Sequence, residues 1–287
     1  MTKITPTPLD KSGLIPQEEM LEVQKRKKHL FIGLPKEKAF QENRIAIVPE
    51  AVQLLTSHGH KVLVESGAGD NANFSDNEYN EAGAQISYDA KSVYQADIIM
   101  KVEPPTLLEL DMMKGEQTLI SALQITTQNK KYIEQLLIKK ITALAYEYIQ
   151  DEDATIPLIR SMSEIAGNTA LLIASEYLSN IHEGKGLMLG GIAGVTPTEV
   201  VIIGAGTVGE RAARAAIGLG ASVKVFDNSL AKLRRLQNNI NTSLFTSIIQ
   251  PKVLSKALRR ADIVIGALRS NDRRTPCVVS DQMVQKM

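Results

Sequence analysis

Short apolar runs alternate with helical patterns along most of the chain. The runs at 30–34, 61–65, 97–102, 117–123 and 141–148 read as strands, and the 3.6-periodic stretches at 49–58, 77–82 and 129–139 as the helices between them. Such alternation predicts a mostly parallel sheet, because parallel strands need crossovers and the crossover helices cover the faces of the sheet. A first α/β domain is therefore expected over 31–158. A long helical pattern follows at 162–182, with Ser161 or Ser163 as candidate caps, since a hydroxyl there satisfies an orphan N–H. This helix is expected to carry the chain across a cleft to a second domain.

The sharpest pattern is 200–227, VVIIGAGTVGERAARAAIGLGASVKVFD. An apolar β-branched run stops at Gly204-Ala205-Gly206, passes Gly209 into a helical pattern, and returns to a second apolar run closed by Asp227. The spacing has a physical reading: the first glycine allows a tight turn, the second lets a pyrophosphate approach the backbone, and the third lets helix and strand pack closely. Free N–H groups at the helix start would face the phosphates. Asp227, at the end of the next strand, is placed to accept hydrogen bonds from the adenosine ribose, which points to NAD rather than NADP. The bland alternative is a glycine turn in an ordinary α/β unit. Helices at 230–238 and 252–260, a strand at 262–267 and a short helix at 281–286 extend this second domain over 159–287. It holds about four strands where a doubly wound domain commonly has about six, so it looks incomplete at its C-terminus.

Composition changes this picture little. The 287 residues are long for one core, and 33 basic against 32 acidic side chains leave a net charge of +1, with no global field to draw in nucleic acid or an anionic membrane. The single cysteine, Cys277, rules out an internal disulfide framework and is read as inert packing. No run is apolar enough to span a bilayer and no signal peptide opens the chain, so a cytoplasmic location is expected. Residues 1–30 read as an appendage whose charged helical pattern, 17–29, is a solvated face.

Two cations in the first domain could carry chemistry. Arg44 lies in a polar loop after the first strand and Lys101 ends the strand at 97–102; ligands bind beyond the carboxyl ends of such strands, so both are placed to grip an anion. Arg44 reads equally well as a solvated loop charge. A lysine closing a buried strand needs a partner, and Glu147 is a candidate partner for either cation, or else an edge carboxylate. The four histidines, His29, His58, His60 and His182, are expected at the surface and no metal site is expected among them.

On these residues the chain resembles the alanine dehydrogenase family, and less closely the related NAD-binding domain of proton-translocating transhydrogenase. The resemblance runs from about residue 31 onward. Its segments include 33–37 (GLPKE), 42–46 (ENRIA), 59–69 (GHKVLVESGAG), 74–76 (FSD), Lys101-Val102, Ala145-Tyr146-Glu147 and 162–167 (MSEIAG), followed by the glycine stretch. It implies an α/β fold of two Rossmann-like domains with mostly parallel sheets, separated by an inter-domain cleft and joined by a long helix. It also implies NAD-dependent oxidative deamination of L-alanine to pyruvate and ammonium, so that the partners are an amino acid or 2-oxo acid and further copies in a homo-oligomer. Carried across, Arg44 and Lys101 hold the substrate, with Lys101 also catalytic, while Ser163, Gly204, Gly206, Gly209 and Asp227 contact the cofactor.

Two departures stand out. Gln124 occupies the position of the family's catalytic histidine, and glutamine hydrogen-bonds but exchanges no proton. A positioned acid–base group is worth about 10²–10⁴ in rate. The family's catalytic aspartate and final segment are expected beyond the last residue of this C-terminally truncated sequence. These departures keep two other readings open: a catalytically impaired NAD-binding regulatory module, and a transhydrogenase-like NAD(H)-binding domain.

Overall fold

The structure is a computed structural model that describes residues 29–152, 155–240, 242–268 and 277–287. The helical pattern at 17–29 lies outside the described residues except for His29, whose Nδ1 sits 2.8 Å from the Gly59 carbonyl oxygen. The chain divides into two compact units: residues up to Ser121 with Lys131–Leu144, and Ala122–Lys130 with Ala145 onward.

In the first unit the order is β1 (Phe31–Leu34), α1 (Pro49–Ser57), β2 (Lys61–Glu65), α2 (Asp76–Glu81), β3 (Gln85–Ser87), α3 (Ala90–Val93), β4 (Ile98–Met100), α4 (Leu107–Met112), β5 (Thr118–Ser121), α5 (Lys130–Ile138) and β6 (Thr142–Ala145). The six strands described lie in the order β3-β2-β1-β4-β5-β6, with the β3–β2, β2–β1, β1–β4 and β4–β5 pairings all parallel. Alternate side chains of β1 and β2, among them Ile32, Leu34, Val62 and Val64, form a core with Val52 of α1 and Tyr79 of α2. Local chemistry fixes the helix starts. Ser75 and Glu78 form a reciprocal capping box on α2, and Thr106 and Glu109 form another on α4.

In the second unit follow α6 (Pro157–Leu178), β7 (Glu199–Ile203), α7 (Thr207–Gly218), β8 (Ser222–Phe226), α8 (Leu230–Asn239), β9 (Phe245–Ser247), α9 (Pro251–Leu258), β10 (Ile263–Gly266) and α10 (Asp281–Val284). Its four described strands lie in the order β10-β7-β8-β9, all parallel. Both faces are covered, as a parallel sheet requires. Val200, Ile202, Val223 and Val225 pack with Ala212, Ala213 and Ala216 of α7 and Leu233 and Leu236 of α8. On the other face Val201, Ile203 and Phe226 pack with Leu254 and Leu258 of α9.

The α/β class and its parallel sheets agree with the sequence pattern; the short elements α3, α4 and β9 are additional to it, and three further details differ. β3 was not anticipated, because Gln85-Ile86-Ser87 is a three-residue edge strand with one apolar side chain. The long helix starts at Pro157, whose missing N–H suits a first turn, so Ser161 and Ser163 lie inside it and cap nothing at its start. The strand expected at 141–148 stops at Ala145 and passes into a 3₁₀ turn, Tyr146–Tyr148.

Candidate functional site

Each sheet reverses its strand order once, and both reversals gather the residues singled out above. In the second unit the reversal lies between β7 and β10. Gly204, at φ +117°, ends β7 so close to β10 that a Cβ would fall 2.2 Å from the Ala267 carbonyl oxygen. Gly209, in the first turn of α7, would place a Cβ 1.8 Å from the Gly204 oxygen. Gly206 is different: a Cβ there meets nothing within 4 Å. It is also the N-cap of α7, and no side chain caps that helix. The N–H groups of the first turn and the positive end of the helix dipole are therefore left to an external acceptor.

Asp227, buried to 6% exposure, follows β8. Its Oδ2 accepts from the Ala205 N–H at 2.7 Å and its Oδ1 from the Ser229 N–H at 2.7 Å. The carboxylate thus braces the glycine turn while bordering the same cleft, a space of about 1190 Å³ within the second unit. Ser163 borders it from α6. The helices meet closely there, since a Cβ on Gly167 of α6 would lie 2.5 Å from the Val208 carbonyl oxygen. Five cations (Arg160, Arg211, Arg214, Lys232, Arg235) and three carboxylates (Glu164, Glu210, Asp227) line the cleft. Glu164 accepts from Arg211 at 2.6 Å and Arg160 at 3.2 Å, and these bonds hold its carboxyl below the usual range. Glu210 takes Arg214 at 3.1 Å. The surplus of cations suits an anionic ligand.

In the first unit the reversal lies between β1 and β4. Lys101, directly after β4, is 2% exposed. Its partner requirement is met twice: Nζ lies 3.1 Å from Glu109 Oε1 and 3.6 Å from Glu37 Oε2. Glu37, from the loop after β1, also accepts from the N–H of Val102 at 2.6 Å and of Glu103 at 3.4 Å. Burial pushes the Glu37 carboxyl up, against the pull of Lys101 and these N–H groups. Burial also works to raise Glu109, yet Lys101 and the Thr106 N–H together outweigh it and hold that carboxyl below its ordinary value. Tyr94, fully buried beside this cluster, has its phenol pushed up by burial first and by Glu109 next. Arg44 is clasped by Glu42, with Nε at 2.8 Å and Nη2 at 2.5 Å, and lies 3.8 Å from Glu103. That guanidinium holds the Glu42 carboxyl down.

Glu147 lies in the second unit and is held by backbone of that unit. Its carboxylate, 7% exposed, accepts from the N–H groups of Leu123 at 3.2 Å and Gln124 at 2.8 Å. Gln124 holds a left-handed backbone at φ +47°, an uncommon conformation for a side-chain-bearing residue, and its carbonyl accepts from Thr127. Glu147 thus fixes the backbone that presents Gln124.

Cys277 is exposed rather than packed; its thiol reaches the Val279 carbonyl at 3.4 Å. His60 is half-buried and accepts from the Leu30 N–H at 3.2 Å, whereas His29, His58 and His182 are exposed. Among the described residues no group of three or more His, Cys, Asp or Glu side chains could hold a metal, and no helix is long and apolar enough to cross a membrane.

Several site residues were not singled out from sequence: Glu37, Glu109 and the arginines of the cleft. Glu109 had a readable signal in the capping box Thr106-x-x-Glu109, which places its carboxylate at a helix start. The pairs Arg160–Glu164 and Glu210–Arg214 had one in their four-residue spacing. Glu37 had none, because its partners are 65 or so positions away.

Comparison with known proteins bears on both units. Residues 33–166 match the family "Alanine dehydrogenase/PNT, N-terminal domain", and 170–287 match "Alanine dehydrogenase/PNT, C-terminal domain". The alanine dehydrogenase of Methanococcus maripaludis is 39% identical over 259 residues, covering 90% of this chain and 69% of that protein. A solved L-alanine dehydrogenase superposes with a TM-score of 0.81 at 36% identity, covering 89% of this chain and 71% of the other. The transhydrogenase from Sinorhizobium meliloti superposes with a TM-score of 0.75 at 26% identity, covering 89% and 75%.

Proposed function

The chain belongs to the alanine dehydrogenase family, and we propose that it is an NAD-dependent amino-acid dehydrogenase acting on L-alanine and pyruvate. The observation that carries the cofactor reading is the open backbone at Gly206 at the uncapped start of α7, beside the buried carboxylate of Asp227. The residues fit a dinucleotide. Gly206 leaves room where a Cβ would fill the cradle, the free N–H groups of α7 suit a pyrophosphate, and Asp227 keeps lone pairs for ribose hydroxyls. Ser163 borders the same space from α6. When bound, NAD supplies the acceptor for the hydride leaving the substrate Cα.

The rest is the work of the chain's own side chains. Lys101 presents an ammonium fixed by Glu109, a compact charge suited to a substrate carboxylate and to polarising a carbonyl or imine. Glu42 takes the Nε–Nη2 edge of Arg44 and so orients the guanidinium, whose other edge is the one suited to the same carboxylate. Gln124 donates and accepts hydrogen bonds from a backbone held by Glu147. The excess of cations in the second-unit cleft suits the pyrophosphate of the cofactor.

The test is NADH formation from L-alanine at alkaline pH by the purified protein, with pyruvate and ammonium as the reverse assay. NADH binding without turnover of L-alanine or of other small amino acids overturns the assignment. One observation favours a second reading, an NAD-binding module that senses rather than reacts: Gln124 exchanges no proton where the family has histidine. Turnover that stays absent after Gln124→His, with NADH binding retained, supports the module over the enzyme.

A further inference from the structure

Glu37, Lys101 and Glu109 form a buried cluster in which two carboxylates share one ammonium. With all three ionised, the cluster carries one negative charge in excess. A substrate that brings its own carboxylate to Lys101 adds a second, in surroundings where like charges repel strongly. The two glutamates differ in how firmly the ammonium holds them. Glu109 lies 3.1 Å from Nζ and its other oxygen accepts from Thr106 N and Oγ1 at 2.7 and 3.0 Å. Glu37 lies 3.6 Å from Nζ and is anchored instead by the N–H groups of Val102 and Glu103. Of the pair, Glu37 is held less closely by the ammonium. Once an incoming carboxylate competes for Nζ, its protonation restores the local charge the free site carries.

We propose that Glu37 is a positioning residue for Lys101 and that it takes up one proton when a carboxylate substrate binds. The proposal rests on the substrate reading given above. The charged and titratable groups that face Glu37 come from several elements, and all fit this role. Lys101 follows β4 and draws the carboxylate toward ionisation, as do the backbone N–H groups of Val102 and Glu103. Glu42, in the loop after β1, opposes it, though its own charge is turned to Arg44. Tyr94, at the end of α3, feels Glu37, Glu65 and Glu109 and stays protonated. Burial, the largest influence, disfavours the charged form of Glu37. The proton comes from solvent and remains on the Glu37 carboxyl while substrate is bound; no covalent bond to substrate is made or broken.

The experiment is calorimetry of pyruvate binding to the NADH-loaded protein without ammonium, in buffers of different ionisation enthalpy between pH 6 and 8 (about one unit either side of neutrality). The expected result is uptake approaching one proton and an affinity that weakens by up to about tenfold per pH unit through the window where Glu37 is ionised in the free site. Glu37→Gln keeps an acceptor for the Val102 N–H; it should bind pyruvate without uptake and with an affinity independent of pH. Binding by the wild-type protein with the same heat in every buffer overturns the linkage without needing any variant, as does undiminished uptake in Glu37→Gln. If pyruvate does not bind the NADH-loaded protein at all, the substrate assignment falls and the linkage falls with it.

Discussion

The two sheet reversals solve the problem of meeting an anion in opposite ways. In the second unit the proposed anion site is backbone: a glycine turn, an uncapped helix start and one carboxylate turned inward to stiffen the turn. In the first unit the proposed site is side chain: Lys101 and Arg44, each already in contact with two carboxylates. A backbone site is always charged in the same sense and depends on room. A side-chain site depends on charge balance, and its state can shift with protonation. Steric changes should therefore damage the second unit, and changes of charge or pH the first.

The largest effect expected is from Lys101→Met, which leaves Glu37 and Glu109 buried without a counter-ion. Loss of one partner from a buried pair is worth about 3–5 kcal/mol, seen as a lower urea midpoint for the cofactor-free protein at pH near neutrality, and partly recovered in acid as the carboxyls protonate. A midpoint that drops equally at all pH values would point to packing rather than charge. Next in size is Gly209→Ala, whose Cβ would overlap the Gly204 carbonyl. Overpacking of this kind costs about 1–3 kcal/mol, while Gly206→Ala should leave the melting temperature almost unchanged and still weaken NADH. Should both alanines lower stability alike, the distinction between the two glycines is wrong.

Asp227→Asn comes third. It keeps the shape and one acceptor but removes a charge, and the lost charge-assisted hydrogen bonding should weaken NADH by about 1.5–3 kcal/mol in a titration; unchanged affinity would remove the ribose role. The smallest is a pH slope. Glu109, held below its unfolded value, contributes stability that is present above the unfolded pKa and lost as pH falls through the folded one. Glu37, pushed up, contributes stability that is present below its unfolded pKa and lost as pH rises through the folded one. The two oppose, so Glu37→Gln should relieve the loss on the alkaline side and raise stability at neutral pH relative to acid, read from urea midpoints across pH. A variant with the wild-type pH profile would show that Glu37 ionises as freely in the fold as out of it.

The same contrast explains what was legible from sequence. The glycine turn is local, so its spacing, its flanking strands and Asp227 could be read as one unit. Even there, the two hydrogen bonds from Ala205 and Ser229 to Asp227 were not visible, since they depend on which way a side chain turns. Lys101 could be flagged because a buried lysine needs company. Its company could not be named, because Glu37 arrives from the other side of the strand reversal and Glu109 from α4, a short helix that the apolar pattern does not show. The bonds from the N–H groups of Leu123 and Gln124 to Glu147 were equally out of reach of the sequence, since they join a loop to a turn more than twenty residues on.

The brace on the glycine turn carries a consequence for redesign. Asp227 holds Ala205 with the same carboxylate proposed to recognise the ribose. A substitution meant to admit a phosphorylated ribose would remove the repelling charge and unfasten the loop in one step. A change of coenzyme preference therefore has to be a paired substitution, one residue to welcome the new phosphate and another to take over the grip on the Ala205 N–H.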